Sequence, residues 1–290
     1  MKVISFNVPK TNHEAFRLQV DRVPHLYDKL HQHPETQIMY IVKGEGTLIA
    51  GDYIGRFQPG DVFLLGSLQA HVFRNDAAYY QSKTKKQAHA ISLYFDENYA
   101  GTSFWQLDEL KHVRNLLHRS KGGLQLFGNT RTASIDLIER LQKAESVDKL
   151  ILFLELLKVI SRSKEIKALS VVSLRTDLSS TEGNRMNAIL QFTFQQSHRP
   201  IYLDEVAAVA NLSIEAFCRF FKTRTRKTYT NFLNEVRVSQ ACRLLISSDK
   251  PIQLIAFETG FNNLSHFNRV FKKLKGQTPR SYLKTPALTS

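Results

Sequence analysis

Cysteine is scarce: there are two in 290 residues, Cys218 and Cys242. Both fall within helical periodicity, which argues against a disulfide framework or a thiolate metal centre. Long hydrophobic runs are missing as well. None approaches the roughly 18–20 apolar residues that a membrane-spanning helix needs. The opening stretch, MKVISFNVPKTNHEAF, has no apolar segment followed by small residues, so a cytoplasmic location without membrane contact is expected. There is no Ser/His/Asp arrangement, phosphate-binding glycine loop or Cys/His cluster. No catalytic residue, cofactor or metal is therefore assigned, and a non-enzyme is expected.

Acidic side chains are also few, with 26 Asp and Glu against 40 Lys and Arg and a net charge of +14. The imbalance is local. Residues 184–290 hold 16 basic against 6 acidic residues, and the other 183 hold 24 against 20. A basic excess confined to one part points to a polyanionic partner for that part.

The length suggests two domains. Between about 37 and 95, the runs QIMYIVK, TLIA, YIGRF and VFLLG are separated by Gly44-Glu45-Gly46, Gly51-Asp52 and Gln58-Pro59-Gly60-Asp61. Short strands with such turns predict a β-barrel or sandwich. YYQSKTKKQAHA reads as a loop before one more strand, AISLYF. After residue 104 the periodicity becomes helical, with one helix in FWQLDELKHVRNLL, a second in TASIDLIERLQKA and a third in VDKLILFLELLKVISRS. The third is apolar around most of its circumference (Leu150, Ile151, Phe153, Leu154, Leu157, Ile160). Such a helix needs cover on more than one side, from the barrel alone or from barrel and partner subunit together. VVSLRTDLSSTEGN is a polar linker candidate.

Two stretches of the basic part share a phase. NLSIEAFCRFFKT (211–223) and GFNNLSHFNRVFKK (260–273) bring Phe217, Arg219, Phe221 and Lys222 into step with Phe267, Arg269, Phe271 and Lys272. In the second copy Phe267, Val270, Phe271 and Leu274 form one apolar stripe. Ser265, Asn268, Arg269 and Lys272 lie opposite. PIQLIAFET precedes it as a helix with Pro251 in the first turn, and Gly260 supplies the positive φ of a tight interhelical turn. The first copy repeats this plan: LDEVAAVA leads, Asn211 stands at the turn, and Ser213 is a candidate N-cap. FLNEVRVSQACRLLIS would be a long amphipathic helix between the copies. Two helix-turn-helix units in one domain suit two adjacent major grooves of double-stranded DNA. Arg219 and Arg269 are placed to read guanine and Asn268 adenine. Lys222, Lys272 and Lys273 are placed to meet phosphates.

Residues 184–290 resemble the DNA-binding domain of the AraC/XylS family of bacterial transcription regulators. The resemblance is carried by PIQLIAFETGFNNLSHFNRVFKKLKGQTPRSYL and by SIEAFCRFFKTRT with FLNEVRVSQACRLL. It implies base-reading positions at Glu215, Cys218 and Arg219 in the first unit and at Leu264, Ser265, Asn268 and Arg269 in the second. Arg226 departs from the pattern, since the family usually has Gly after the first recognition helix.

In the β region, HQHPETQIMYIVKGEGTLIAG and PGDVFLLGSLQAHVFRN resemble the two motifs of the cupin barrel. His31 and His33, alternate residues of one strand, face the same way, and His71 comes from another strand. Metal-binding cupins carry Glu where this chain has Gln37, with Glu35 two places earlier. Three readings stand: satisfied interior histidines, a hydrogen-bonding effector pocket of His31, His33, Gln37 and His71, or a metal site. The family resemblance implies an effector-binding barrel, a dimerisation segment and contact with RNA polymerase.

The expected fold is α+β and multidomain. It comprises a cupin-like sensor barrel (1–100), a helical dimerisation segment (101–170), a linker (171–183) and an all-α double helix-turn-helix domain (184–290). The expected function is sequence-specific transcription regulation under a small-molecule effector, by a homodimer. The alternative is a metal-dependent cupin enzyme fused to a DNA-binding domain.

Overall fold

The computed structural model describes residues 4–5, 14–96, 102–170 and 180–284. The described residues up to 170 form one compact unit and those from 180 form another.

The N-terminal unit is built on two sheets. Its strands are β1 (Ile4–Ser5), β2 (Arg17–Val23), β3 (His31–Gln32), β4 (Thr36–Lys43), β5 (Gly46–Ala50), β6 (Tyr53–Phe57), β7 (Val62–Leu65), β8 (His71–Asn75), β9 (Ala88–Phe95), β10 (Leu124–Leu126) and β11 (Ile166–Ala168). One sheet has the order β1-β3-β8-β5-β6 and the other β11-β10-β7-β4-β9-β2. The apolar runs of β4 and β7 do not alternate with polar residues because both faces of their sheet are covered. Ile38, Tyr40, Val62 and Leu64 pack outward against helices. Met39, Ile41, Phe63 and Leu65 pack inward with Leu48, Phe57 and Phe73 of the opposite sheet.

The covering helices are α1 (Thr102–Trp105), α2 (Lys111–Ser120), α3 (Gly128–Leu141) and α4 (Ser146–Arg162). Two features depart from the helical reading of segment 101–170. First, the α-helix expected through this stretch is broken: between Trp105 and Lys111 the chain makes only a short 3-10 turn at Asp108–Leu110, and Arg114 Nη1 donates to the carbonyls of Trp105 (2.7 Å) and Leu107 (2.6 Å). That side chain satisfies the carbonyls a continuous helix would have used. Second, β10 and β11 extend the sheet of the barrel beyond residue 100, pairing Leu124 with Leu64 and with Ala168. Three residues of alternation after Gly122-Gly123 are too short to read as a strand from sequence. On α4, Leu152, Phe153, Leu156, Leu157 and Ile160 are buried, whereas Val147, Leu150 and Ile151 are exposed.

The C-terminal unit contains α5 (Ser180–Gln196), α6 (Leu203–Val209), α7 (Ile214–Thr225), α8 (Tyr229–Ser247), α9 (Ile252–Glu258), α10 (Leu264–Lys275) and α11 (Pro279–Lys284). Helix α5 begins inside the stretch expected to be linker; the rest of that stretch, 171–179, lies outside the described residues. Helix α8 is not amphipathic. Its buried residues include Tyr229, Phe232, Leu233, Val236, Arg237, Val238, Ala241, Cys242 and Leu245, which occupy several sides, because it is the central post around which both copies pack. Arg237, buried mid-helix, donates to the Ser197 and Arg199 carbonyls (2.9 and 2.7 Å) and lies 5.7 Å from the Phe261 ring centroid. One side chain thereby ties the segment after α5 to the turn of the second copy.

Candidate functional site

The two copies repeat in backbone as well as in sequence. Helix α6 ends in a turn with Asn211 at φ 52°, and α9 ends in one with Gly260 at φ 90°. In both, an amide past the helix end reaches back, Leu212 N to Ala207 O and Phe261 N to Ala256 O, each at 3.0 Å. This six-to-one bond with a left-handed residue is the Schellman helix stop. Ser213 then caps α7 through Ala216 N (3.2 Å). Asn263, which the sequence reading overlooked because the second turn is one residue longer, caps α10 through His266 N (3.0 Å). Both helices run 12 residues and stop at a left-handed residue, Arg226 at φ 58° and Gly276 at φ 73°. Thr228 and Thr278 then cap the next helices. Arg226 thus takes the conformation that glycine takes without strain in the other copy. Pro251 stands at the N-cap of α9, one residue before the first turn.

Each 12-residue helix is anchored by two phenylalanines. Phe217 and Phe221 are fully buried against Tyr229, and Phe267 and Phe271 against Phe261 and Tyr282. Val270 is half-buried, but Leu274 is 37% exposed and leaves the expected stripe. The opposite faces are open. Glu215, Cys218, Arg219 and Lys222 are exposed on α7, as are Ser265, Asn268, Arg269, Lys272 and Lys273 on α10. Leu264 is half-buried and packs on the core of its own unit, so it presents the least surface of the expected readers.

Charge is arranged to match. Among the described residues, the ion pairs of this unit join Arg199 to Glu205, Arg224 to Glu182, Lys227 to Glu235 and Lys250 to Glu258. Arg219, Lys222, Arg269, Lys272 and Lys273 stand outside these pairs. Glu182, Glu205, Glu235 and Glu258 are thus engaged with other cations, which leaves these five open to an external anion. Glu215 is an exception on the α7 face. Its own backbone N–H and then the Ser213 hydroxyl hold its carboxyl below the usual range, so it stays an ionised acceptor at the helix start. Such an acceptor suits an amino donor such as cytosine N4 rather than a phosphate.

The N-terminal unit holds a cavity of about 290 Å³ between its sheets. Strand pairing sets its polar wall. His31 of β3 lies directly opposite His71 of β8, and on the other sheet Gln37 pairs with Tyr94 and Met39 with Ser92. His31, Gln37 and His71 line the cavity with these residues and with Phe73 of β8. Of the four expected pocket residues His33 alone is absent from that lining, but its ring lies 5.1 Å from that of His71 and 5.9 Å from that of His31. Tyr94, Ser92 and Met39 were not anticipated. The available signal was strand parity, since Gln37 and Met39 alternate on β4 as Ser92 and Tyr94 do on β9. Gln37 Nε2 donates to Ser92 Oγ and Tyr94 Oη, both at 3.1 Å. Asn75 does not line the cavity but fastens its rim, accepting from Leu26 N (2.8 Å) and donating to Glu45 O (3.2 Å).

Each of the three histidines is oriented by a backbone carbonyl at Nδ1: Lys29 O for His31 (2.9 Å), Glu35 O for His33 (2.9 Å) and Gln69 O for His71 (2.8 Å). Burial, and after it the neighbouring histidines, lower His31 to about 4 and His71 well below the usual imidazole range. Both rings are therefore neutral near pH 7.

A cavity-bearing β unit followed by a duplicated helix-turn-helix unit is the domain plan of a transcription regulator. Residues 15–100 match the AraC-like ligand binding domain, and residues 206–285 match a helix-turn-helix domain. The chain belongs to the AraC/XylS family of transcription regulators. It is 32% identical over 130 residues to the transcriptional activator RhaS of Klebsiella pneumoniae, spanning 45% of this chain and 43% of that one. It is 38% identical over 85 residues to an uncharacterised regulator of Pseudoalteromonas carrageenovora, spanning 29% and 50%. The aligned part thus covers about half or less of the length of these relatives. A crystal structure of ToxT from Vibrio cholerae aligns over 95% of this chain and 99% of its own, at 16% identity and a TM-score of 0.37. Among the described residues no helix is long and apolar enough to cross a membrane.

Proposed function

We propose that the C-terminal unit reads double-stranded DNA with α7 and α10 in two adjacent major grooves, and that a small molecule in the cavity of the N-terminal unit controls this binding. The carrying observation is that two 12-residue helices bury the same two positions and expose the same basic positions, around one shared central helix. Arg219 and Arg269 act as guanine readers and Asn268 as an adenine reader, with Glu215, Cys218, Ser265 and Leu264 at the remaining base-facing positions. Lys222, Lys272 and Lys273 hold phosphates. The effector meets Gln37, His31 and His71 in the cavity, with His33 behind them. An effector that binds one arrangement of the chain better than another shifts promoter occupancy or recruitment of RNA polymerase. The exposed Val147, Leu150 and Ile151 of α4 supply the contact of a homodimer.

The test is selection of preferred duplexes from a random pool by the full chain, repeated with Arg219→Ala and Arg269→Ala. Each substitution is expected to erase preference at a different base, the two positions lying about one helical turn (~10 bp) apart. Unchanged preference in both, or loss at the same base, refutes the two-groove reading.

A further inference from the structure

The two 12-residue helices differ where they stop. Arg226 ends α7 at φ 58° and Gly276 ends α10 at φ 73°. Each amide donates to the carbonyl four residues earlier, Lys222 O and Lys272 O, at 2.9 Å. At positive φ a Cβ presses on its own backbone, so arginine holds this turn under a strain that glycine would not feel. Arg226 is exposed. Among the described residues its guanidinium joins no ion pair, whereas its neighbours Arg224 and Lys227 are paired with Glu182 and Glu235. Strain kept with no internal contact that uses the side chain points to a contact outside the chain.

Position says what that contact is. Glu215, Arg219 and Lys222 are exposed along one face of α7. Arg226 follows Lys222 by four residues and so continues that face, about 6 Å further along the axis. The second copy ends differently. It carries Lys273 and Lys275 where the first has Thr223 and Thr225, and Gly276 where the first has Arg226. With Arg224 and Lys227 engaged, Lys222 and Arg226 are the open cations at the end of α7. Arginine at the stop thus restores a charge that the threonines leave out. We infer that Arg226 is a phosphate clamp, gripping the DNA backbone beside the phosphate held by Lys222. A guanidinium offers paired N–H donors that match two phosphate oxygens. The inference rests on the reading of α7 as a groove-reading helix. It adds a contact particular to this chain, since the family usually has glycine here. Glycine at 226 would make the unit more stable and leave the first copy one charge short.

The test compares Arg226→Gly and Arg226→Lys with the wild-type full chain, in urea denaturation and in duplex titrations at several salt concentrations. Arg226→Gly should unfold at a higher urea concentration yet bind preferred and scrambled duplexes more weakly by the same factor. Its slope of log affinity against log salt should fall by about 0.9. Arg226→Lys keeps the charge and should keep the wild-type slope. A turn that served folding alone predicts a firmer Arg226→Gly chain that binds DNA at least as well with an unchanged slope, and that result overturns the clamp. A loss confined to preferred duplexes overturns it too, by making Arg226 a base reader. So does an equal fall of slope in Arg226→Lys, which would show that the charge is not what acts. A lower urea midpoint for Arg226→Gly removes the strain on which the inference is built. Arg219→Ala, measured alongside, separates this contact from the reading beneath it. If Arg219→Ala erases preference at one base while Arg226→Gly keeps the slope, the clamp fails and the groove reading stands. If Arg226→Gly lowers the slope while Arg219→Ala changes no preference, the clamp stands and base reading by α7 fails. Wild-type duplex binding that ignores salt overturns both.

Discussion

Gly260→Ala should unfold the C-terminal unit far more readily than the chemically identical change at Gly276. Both glycines sit at positive φ, 90° and 73°. An alanine there costs roughly 1–2 kcal/mol from the clash of Cβ with its own backbone. The surroundings differ. A Cβ at Gly276 meets nothing within 4 Å, whereas one at Gly260 would stand 2.1 Å from Ser197 O and 2.8 Å from Arg237 Nε. Ser197 O is the carbonyl that accepts from Arg237, so the methyl group also wedges apart the tie between α5 and the second turn. Overpacking of this kind adds roughly 1–3 kcal/mol. Gly260→Ala should therefore cost about 2–5 kcal/mol, and Gly276→Ala about 1–2 kcal/mol. Urea denaturation of the full chain followed by far-ultraviolet circular dichroism measures both. Fluorescence of Trp105 is an internal control, because that residue belongs to the other unit and its transition should not move. The same comparison predicts that Arg226→Gly stabilises by about 0.5–1 kcal/mol, the relieved strain being partly offset by the freer unfolded chain. Equal losses for the two alanine variants would refute the reasoning, since they would mean that the close approach at Gly260 carries no energy.

Further outcomes follow from single contacts. Lys272→Ala should weaken all duplexes alike and lower the slope of log affinity against log salt by about 0.9, read from titrations at several salt concentrations. A loss confined to preferred sequences would instead make Lys272 a base reader. Ser213→Ala and Asn263→Ala each remove a helix cap and should each cost about 1 kcal/mol in the circular dichroism transition; a loss in only one would break the equivalence of the two copies. Asn75→Ala strands the amide of Leu26 and the carbonyl of Glu45, at a cost of about 1–3 kcal/mol. Here the Trp105 transition should move and the C-terminal one should not.

Much of the C-terminal unit was legible because its signals are local. A glycine or asparagine at a helix stop, a serine at the next start and phenylalanines four apart act within one turn of helix. The positive φ values of Asn211 and Gly260 and the burial of Phe217, Phe221, Phe267 and Phe271 follow from them. The cap at Asn263 escaped notice because a one-residue insertion moved it out of phase with Ser213. The amphipathic reading of α8 failed for a different reason. Periodicity registers where apolar residues fall, whereas α8 is packed from several sides by helices distant in sequence.

By itself the amino-acid sequence determined the two-part plan, the duplicated helices, their opposed greasy and basic faces and the concentration of positive charge. Those properties depend on spacing along the chain and on composition. Tertiary structure decided what spacing cannot carry. It drew Leu124–Leu126 and Ile166–Ala168 into the sheet of the barrel, set Gln37 against Tyr94, and brought His71 opposite His31 from 40 positions away. Strand register is fixed by which residues the opposite sheet and the covering helices will bury. A pocket assembled from five strands therefore exists only once all of them are in place.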